Sequence, residues 1–258
     1  MEQMSFLPPD MPHWWQAALI IFTSFFGSAL TAAFSIGGGL LLIAVMSSVM
    51  PATAVVPVHG AVMVGSNAGR AAILFRHIDW QILGWFAIGA MIGAGIGSQV
   101  VTNLPAWTFR FAIAAFIIFT QWGPKFQNLG FGPKSYVVAG SISSFLTLFV
   151  GATGPFISTI LSKVPGMPRQ GLIASSGACM TLQHGLKVLV FFAAGFLYAP
   201  WLPLIVAALA SGFCGTVLGT RLLGNLSEEL FRKLLKWLLT VMAAYLLVLA
   251  LLEVGQMT

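Results

Sequence analysis

The stretch Ser35-Ile36-Gly37-Gly38-Gly39 lies inside a run from Trp14 to Gly69 that contains no Asp, Glu, Lys or Arg. As one helix, the first apolar region, residues 15–50, would be about 54 Å long at a rise of 1.5 Å per residue. The hydrocarbon core of a bilayer is only about 30 Å thick. We therefore predict that the chain either folds back at these glycines as a hairpin or makes two short spans.

The composition of the whole chain agrees with a membrane location. Apolar side chains make up 58% of the 258 residues and charged side chains only 7%, against about 25% charged residues in a soluble domain. The apolar runs are continuous and do not alternate with polar residues, which favours spanning helices over barrel strands. We predict an all-α polytopic membrane protein.

The sequence contains an internal duplication. The segment from Gly93 to Arg110 recurs from Gly215 to Arg232 at a constant offset of 122 residues. Upstream the offset falls to 116, where the first glycine-rich stretch matches Gly151-Ala152-Thr153-Gly154-Pro155. We predict a first transmembrane repeat at 1–123, a cytoplasmic linker at 124–135 and a second transmembrane repeat at 136–258.

Each repeat is predicted to hold the interrupted region and three further helices, at 54–75, 81–101 and 107–122 and at 170–196, 201–221 and 231–252. Five passes per repeat would invert the second repeat relative to the first, a plan typical of transporters. The positive-inside rule supports this topology, because most basic residues then share the cytoplasmic side: Arg76, Lys125, Lys134, Lys163, Arg169, Arg232, Lys233 and Lys236. We expect a multi-pass protein of the bacterial inner (plasma) membrane with both termini outside.

The two glycine-rich interruptions are candidate anion sites. Irregular backbone at membrane depth survives only inside protein or beside a watery cavity. Helices that restart after each break, near Leu40 and Phe156, would present free N–H groups and a positive dipole end. The alternative is that small residues there only allow close helix packing. The candidate residues are Gly37, Gly38, Gly39, Thr153, Gly154 and Pro155.

A polar stripe follows each break on one helix face. His59, Met63, Ser66, Asn67 and Arg70 are spaced i, i+4, i+7, i+8 and i+11, and Ser176, Met180, Gln183, His184 and Lys187 repeat this spacing. Polar and ionisable residues in spanning helices usually face the bundle interior or a water path. Snorkelling of the two cations to opposite surfaces, and interhelical hydrogen bonds of the two histidines, are the alternatives. The candidate substrate-binding residues of the stripes are His59, Ser66, Asn67, Arg70, Gln183, His184 and Lys187.

Carboxylates are absent from the middle of every predicted span, where a cation carrier would normally need one. Asp79 and Glu253 stand at helix ends. The substrate is therefore predicted to be an anion. No nucleotide-binding motif of the Gly-x4-Gly-Lys-Ser/Thr kind occurs, and no cofactor, metal or nucleic acid is expected.

Several of these elements together resemble the sulfite exporter TauE/SafE family. The matching motifs are Ser35-Ile36-Gly37-Gly38-Gly39, Pro57-Val58-His59-Gly60, Ser66-Asn67-Ala68-Gly69-Arg70, Phe75-Arg76-His77-Ile78-Asp79-Trp80, Gly151-Ala152-Thr153-Gly154-Pro155 and Thr181-Leu182-Gln183-His184-Gly185-Leu186-Lys187. The resemblance covers nearly the whole chain, although Thr153 stands where glycine is commoner. It implies a carrier of sulfite, sulfoacetate or other organosulfonates, a class that includes toluenesulfonate-type permeases.

Together these features predict a secondary transporter of small sulfur-containing anions that works by alternating access and is not an enzyme. Its expected partners are the anion and membrane lipid, and a coupling proton or other ion is left open. The alternatives are an anion channel and a membrane assembly protein without transport activity.

Overall fold

The computed structural model describes residues 13–34, 37–101, 105–123, 132–222 and 228–255. Over these ranges the chain forms ten α-helices, two 3-10 turns and no strand, which confirms the predicted all-α class. The helices are α1 Trp14–Phe34, α2 Gly38–Val49, α3 Ala52–Ile73, α4 Trp80–Val101, α5 Ala106–Trp122, α6 Pro133–Val150, α7 Gly154–Leu161, α8 Arg169–Ala193, α9 Leu202–Leu222 and α10 Glu228–Gly255. The 3-10 turns are Phe75–His77 and Ala199–Trp201.

Four of the helices, α1, α4, α9 and α10, are long and apolar enough to cross a membrane. The chain is therefore a multi-pass membrane protein. Ser35, Ile36 and most of the predicted linker, residues 124–131, lie outside the described residues, as do residues 1–12 and 256–258 at the two ends. Helix α6 begins at Pro133, within the predicted linker.

The first glycine-rich break turns the chain back on itself. Gly37 has φ +100°, a left-handed conformation that glycine adopts without steric cost. Gly38 then packs backbone to backbone against Gly27, and its N–H donates to Thr31 Oγ1 at 3.1 Å. Since Gly27 and Thr31 precede the end of α1, α2 returns alongside α1, which is the hairpin of the two predicted arrangements.

The second break lies between α6 and α7, and the helix that follows it is shorter than α2. Gly151 ends α6 at φ +74°, Thr153 is the N-cap of α7, and α7 has only eight residues. Gly151, Ala152 and Thr153 are buried. Thus the irregular backbone of the second break is enclosed by protein, as a membrane interior requires.

Most helix packing joins one half of the chain to the other. Helix α1 packs on α9, α4 on α6, α3 on α8 and α5 on α10. Under the sequence duplication α1 corresponds to α6 and α4 to α9, so the α1–α9 and α4–α6 contacts are equivalent. The α3–α8 and α5–α10 contacts each join a helix to its own repeat equivalent. The closest contacts use glycine: Gly93 lies against the Ser141 carbonyl, and its repeat partner Gly215 lies against the Phe25 carbonyl. Small residues of this kind let spanning helices approach closely.

The paired helices at the centre run antiparallel. Gly60 of α3 packs against Lys187 of α8, whereas Asn67, further along α3, packs against Gly177, which is earlier in α8. A two-fold axis that relates antiparallel neighbours is perpendicular to them, and for spanning helices it lies in the membrane plane. This pairing supports the inverted arrangement of the repeats, which remains a prediction.

Candidate anion-binding site

The polar stripes of α3 and α8 face each other inside the bundle. His59, Asn67, Gln183, His184 and Lys187 are each at most 1% exposed to solvent. The stripe residues form two groups at different positions along the α3–α8 contact. A third group of polar residues lies at the second break.

The lysine cluster comprises His59, His184 and Lys187 with the two glycines that they pack against, Gly60 and Gly151. Lys187 Nζ donates to the Gly151 carbonyl at 2.9 Å, and the Lys187 stem crosses over Gly60, where only a hydrogen leaves room. The imidazole rings of His59 and His184 meet edge to face with centroids 5.9 Å apart. This cluster joins α3, α8 and the second break.

The histidine nitrogens of the lysine cluster are only partly satisfied. His59 Nε2 lies 3.1 Å from the Gly39 carbonyl oxygen, so this ring also ties α3 to the first break. His59 also interacts with the backbone of Gly151, whereas Nδ1 of His184 is buried without a hydrogen-bond partner among the described residues. Buried polar atoms are nearly always bonded in folded proteins, so this histidine nitrogen is an exception.

The arginine cluster comprises Asn67, Arg70, Ser66, Ser176 and Gly177. Arg70 Nη2 donates to Asn67 Oδ1, and Asn67 Nδ2 donates to the Met63 carbonyl at 2.7 Å. Arg70 Nε is buried and has no partner among the described residues. The cluster thus presents an oriented guanidinium whose capacity to donate is not exhausted.

Two small cavities adjoin the arginine cluster, and Arg70 and Thr31 line both of them. Their volumes are about 10 and 20 Å³, which is room for about one water each. Hydroxyl groups supply most of their polar lining: Ser24, Ser28, Thr31 and Ser66 in the first cavity and Thr31, Ser158 and Ser176 in the second. Gly38 and Gly39 also line the first cavity, so the positive end of the α2 dipole faces it.

The two clusters are related by the sequence duplication. Arg70 corresponds to Lys187, and Gly177, which lines a cavity with Arg70, corresponds to Gly60 beneath Lys187. The two methionines of the stripes also have equivalent positions, since each packs against a glycine of a break. A Cβ on Gly39 would lie 3.3 Å from Met63 Cε, and a Cβ on Gly154 would lie 3.3 Å from Met180 Cε.

A third polar group locks the second break. Ser143 Oγ donates to Gln183 Oε1 at 2.6 Å and lies 2.9 Å from Thr153 Oγ1, and Gln183 Nε2 donates to Thr153 Oγ1 at 2.7 Å. Thr153 and Gln183, both predicted to bind substrate, therefore satisfy each other in this conformation. Ser143 was not predicted.

The remaining predicted residues lie in the break backbone. Gly37 packs against Leu235 of α10 and does not line either cavity, and Pro155 occupies the first turn of α7. The cavity hydroxyls of Ser24, Ser28, Thr31 and Ser158 were missed because single hydroxyls in apolar helices form no distinctive pattern. One signal was present: Thr31 and Thr147 recur at the offset of 116 residues that relates the breaks.

Comparison with known proteins places this architecture in a family. The family model described as sulfite exporter TauE/SafE matches residues 20–246, a range that includes both breaks and both polar stripes. A comparison with curated proteins and one with solved structures returned no match. Because the family model covers most of the chain, this multi-pass membrane protein belongs to the sulfite exporter TauE/SafE family of membrane transporters.

Proposed function

We propose that the chain carries a small sulfur oxyanion, sulfite or a sulfonate, across the membrane by alternating access. The observation that carries the proposal is Arg70. Its guanidinium borders two hydroxyl-lined cavities, the first of which lies beside the start of α2. The ion pair found within the described ranges joins Arg110 to Glu253 and leaves Arg70 without a carboxylate.

The chemistry of this site suits a compact oxyanion with three oxygens. A guanidinium binds two oxygens of such an anion in parallel, with a geometry that an ammonium lacks. The hydroxyls of Thr31, Ser66 and Ser176 can each donate one further hydrogen bond. The α2 N-terminus adds backbone N–H groups and a partial positive charge. Within the described part of the chain no carboxylate lines these cavities to balance a cation.

The difference between the two clusters supports a carrier over a channel. On the Arg70 side the interface holds cavities, whereas Lys187 is fully buried and bonded to the Gly151 carbonyl. A carrier needs such a closed side in each of its states. Rocking of inverted repeats about a shared interface would exchange the side that holds cavities and the closed side.

The test is uptake of labelled sulfite, taurine or toluenesulfonate by proteoliposomes that contain the purified protein. We expect flux above that of empty liposomes with at least one of these compounds. Arg70→Gln should reduce that flux at least tenfold, because it removes the charge and the two-oxygen geometry. Arg76→Gln, which changes an exposed arginine in the turn after α3, is the matched control and should retain it.

Two results would count against the proposal. One is the absence of flux with every sulfur anion while a cation is transported. The other is flux by Arg70→Gln that equals that of Arg76→Gln, which would make Arg70 a packing group.

A further inference from the structure

The lysine cluster is positioned as a copy of the arginine cluster on the far side of the same helix pair. Lys187 lies against Gly60, and Arg70 shares a cavity with Gly177. Gly60 and Arg70 are ten residues apart on α3, and Gly177 and Lys187 are ten residues apart on α8. This spacing is about 15 Å along each helix at 1.5 Å per residue. The duplication therefore builds one cationic cluster on each side of the centre of the α3–α8 contact.

The lysine cluster also has unused polar groups that are fully buried. The Lys187 ammonium has three donors, and the hydrogen bond found for it goes to the Gly151 carbonyl. His184 Nδ1 is buried and unpartnered within the described part of the chain, and the side chain is only 1% exposed. Burying polar groups without partners is costly, so this nitrogen and the remaining ammonium donors favour a polar ligand at the cluster.

The nearby charges identify the chemical class of that ligand. The described acidic side chains lie elsewhere: Asp79 caps α4, Glu253 pairs with Arg110, and Glu229 is exposed near the start of α10. None of them neutralises Lys187. A group with several acceptor oxygens and a negative charge would satisfy the Lys187 amine and a His184 ring that carries its proton on Nδ1, whereas a cation would be repelled.

We infer that the lysine cluster is a second anion subsite, equivalent to the arginine cluster, which the sulfur anion occupies when the carrier faces the opposite side. This inference rests on the proposed function and deepens it. In the present conformation Lys187 is held by the carbonyl of the second break, which closes its subsite. Movement of that break releases the amine, and the anion passes from Arg70 to Lys187.

The experiment measures access to each subsite from each face. Single cysteines replace the repeat-related residues Ser66 and Gln183 in a chain whose Cys179 and Cys214 are alanine. Oriented proteoliposomes are treated with a membrane-impermeant thiol reagent on one face at a time, with and without methanesulfonate. We expect Ser66→Cys to react from the face that carries Arg76 and Gln183→Cys from the other face. Methanesulfonate should slow each reaction at least threefold.

Removing each positive charge then shows which cation methanesulfonate needs in order to protect each cysteine. Lys187→Gln should abolish methanesulfonate protection of Gln183→Cys and leave that of Ser66→Cys within twofold, and Arg70→Gln should do the reverse. Lys134→Gln, which removes an exposed charge at the start of α6, is the matched control and should change neither protection.

The inference is overturned if both cysteines react from the same face only, or if Lys187→Gln leaves both protections intact. Should Gln183→Cys fail to fold, Lys187→Gln alone decides, through the anion concentration that half-saturates flux from each face. A tenfold rise confined to the face opposite Arg76 supports the second subsite, and equal values on both faces overturn it. Wild-type protein that transports no sulfur anion overturns the proposed function itself.

Discussion

At the scale of single residues, the two cations of the polar stripes have different surroundings despite their equivalent positions. Arg70 orients itself on the Asn67 amide and borders cavities, whereas Lys187 reaches across Gly60 to a backbone carbonyl. The helical spacing of the stripes was enough to predict that these residues share a face. It could not predict their neighbours, because the covering helix comes from the other half of the chain.

A second consequence at this scale concerns the hydrogen bonds that hold the second break. Ser143→Ala removes the donor to Gln183 Oε1 and leaves this buried oxygen short of a partner, which typically costs about 1–3 kcal/mol. We expect the apparent melting temperature in detergent to fall by several degrees. Ser141→Ala is the control, since the hydrogen bond found for the Ser141 hydroxyl among the described residues is to the Val137 carbonyl of its own helix. Equal melting temperatures for the two variants would contradict the proposed locking role.

At the scale of helices, the predicted spans agree closely with the observed ones. The helices predicted at 81–101 and 107–122 are observed as Trp80–Val101 and Ala106–Trp122, because long apolar runs define spanning helices well. The restarts after the breaks were predicted near Leu40 and Phe156 but occur at Gly38 and Gly154. Each restart depends on a tertiary contact, with Gly27 or with the Ser143 network, that local sequence does not reveal.

Substituting two nearby glycines of α4, Gly93 and Gly95, distinguishes the effect of helix packing on stability from the effect of helix propensity. A Cβ on Gly93 would overlap the Ser141 carbonyl of α6, whereas a Cβ on Gly95 would meet nothing within 4 Å. Gly93→Ala should therefore force the α4 and α6 backbones apart and lower the melting temperature, at a cost of about 1–3 kcal/mol. Gly95→Ala should leave stability unchanged or raise it, since alanine favours helix over glycine by up to about 1 kcal/mol. Equal destabilisation by both variants would contradict the α4–α6 packing.

At the scale of the whole molecule, each half of the duplication is completed by the other. Helix α1 packs on α9 and α4 on α6, so neither repeat buries its own faces alone. Sequence comparison within the chain predicted the two repeats but not this exchange, because matching segments carry no information about which surfaces meet. The predicted substrate-binding residues lie in two clusters and a hydrogen-bonded network, and their role in binding stays a prediction.

The inverted arrangement makes a prediction about two equivalent connections. The turn at Phe75–His77 joins α3 to α4, and residues 194–201 join α8 to α9 in the same position of the second half. Both connections offer an exposed side chain, Arg76 in the first and Leu197 in the second. If the halves are inverted, the two connections lie on opposite faces of the membrane, whereas a parallel duplication would put both on one face.

Arg76→Cys and Leu197→Cys, each in the chain without native cysteines, should therefore react with an impermeant thiol reagent from opposite faces, as measured in intact cells and in inverted vesicles. The positive-inside rule further assigns Arg76 to the cytoplasmic face, so Leu197→Cys should be the variant labelled in intact cells. Labelling of both from one face would refute the inversion and, with it, the equivalence of Arg70 and Lys187 on opposite sides of the site.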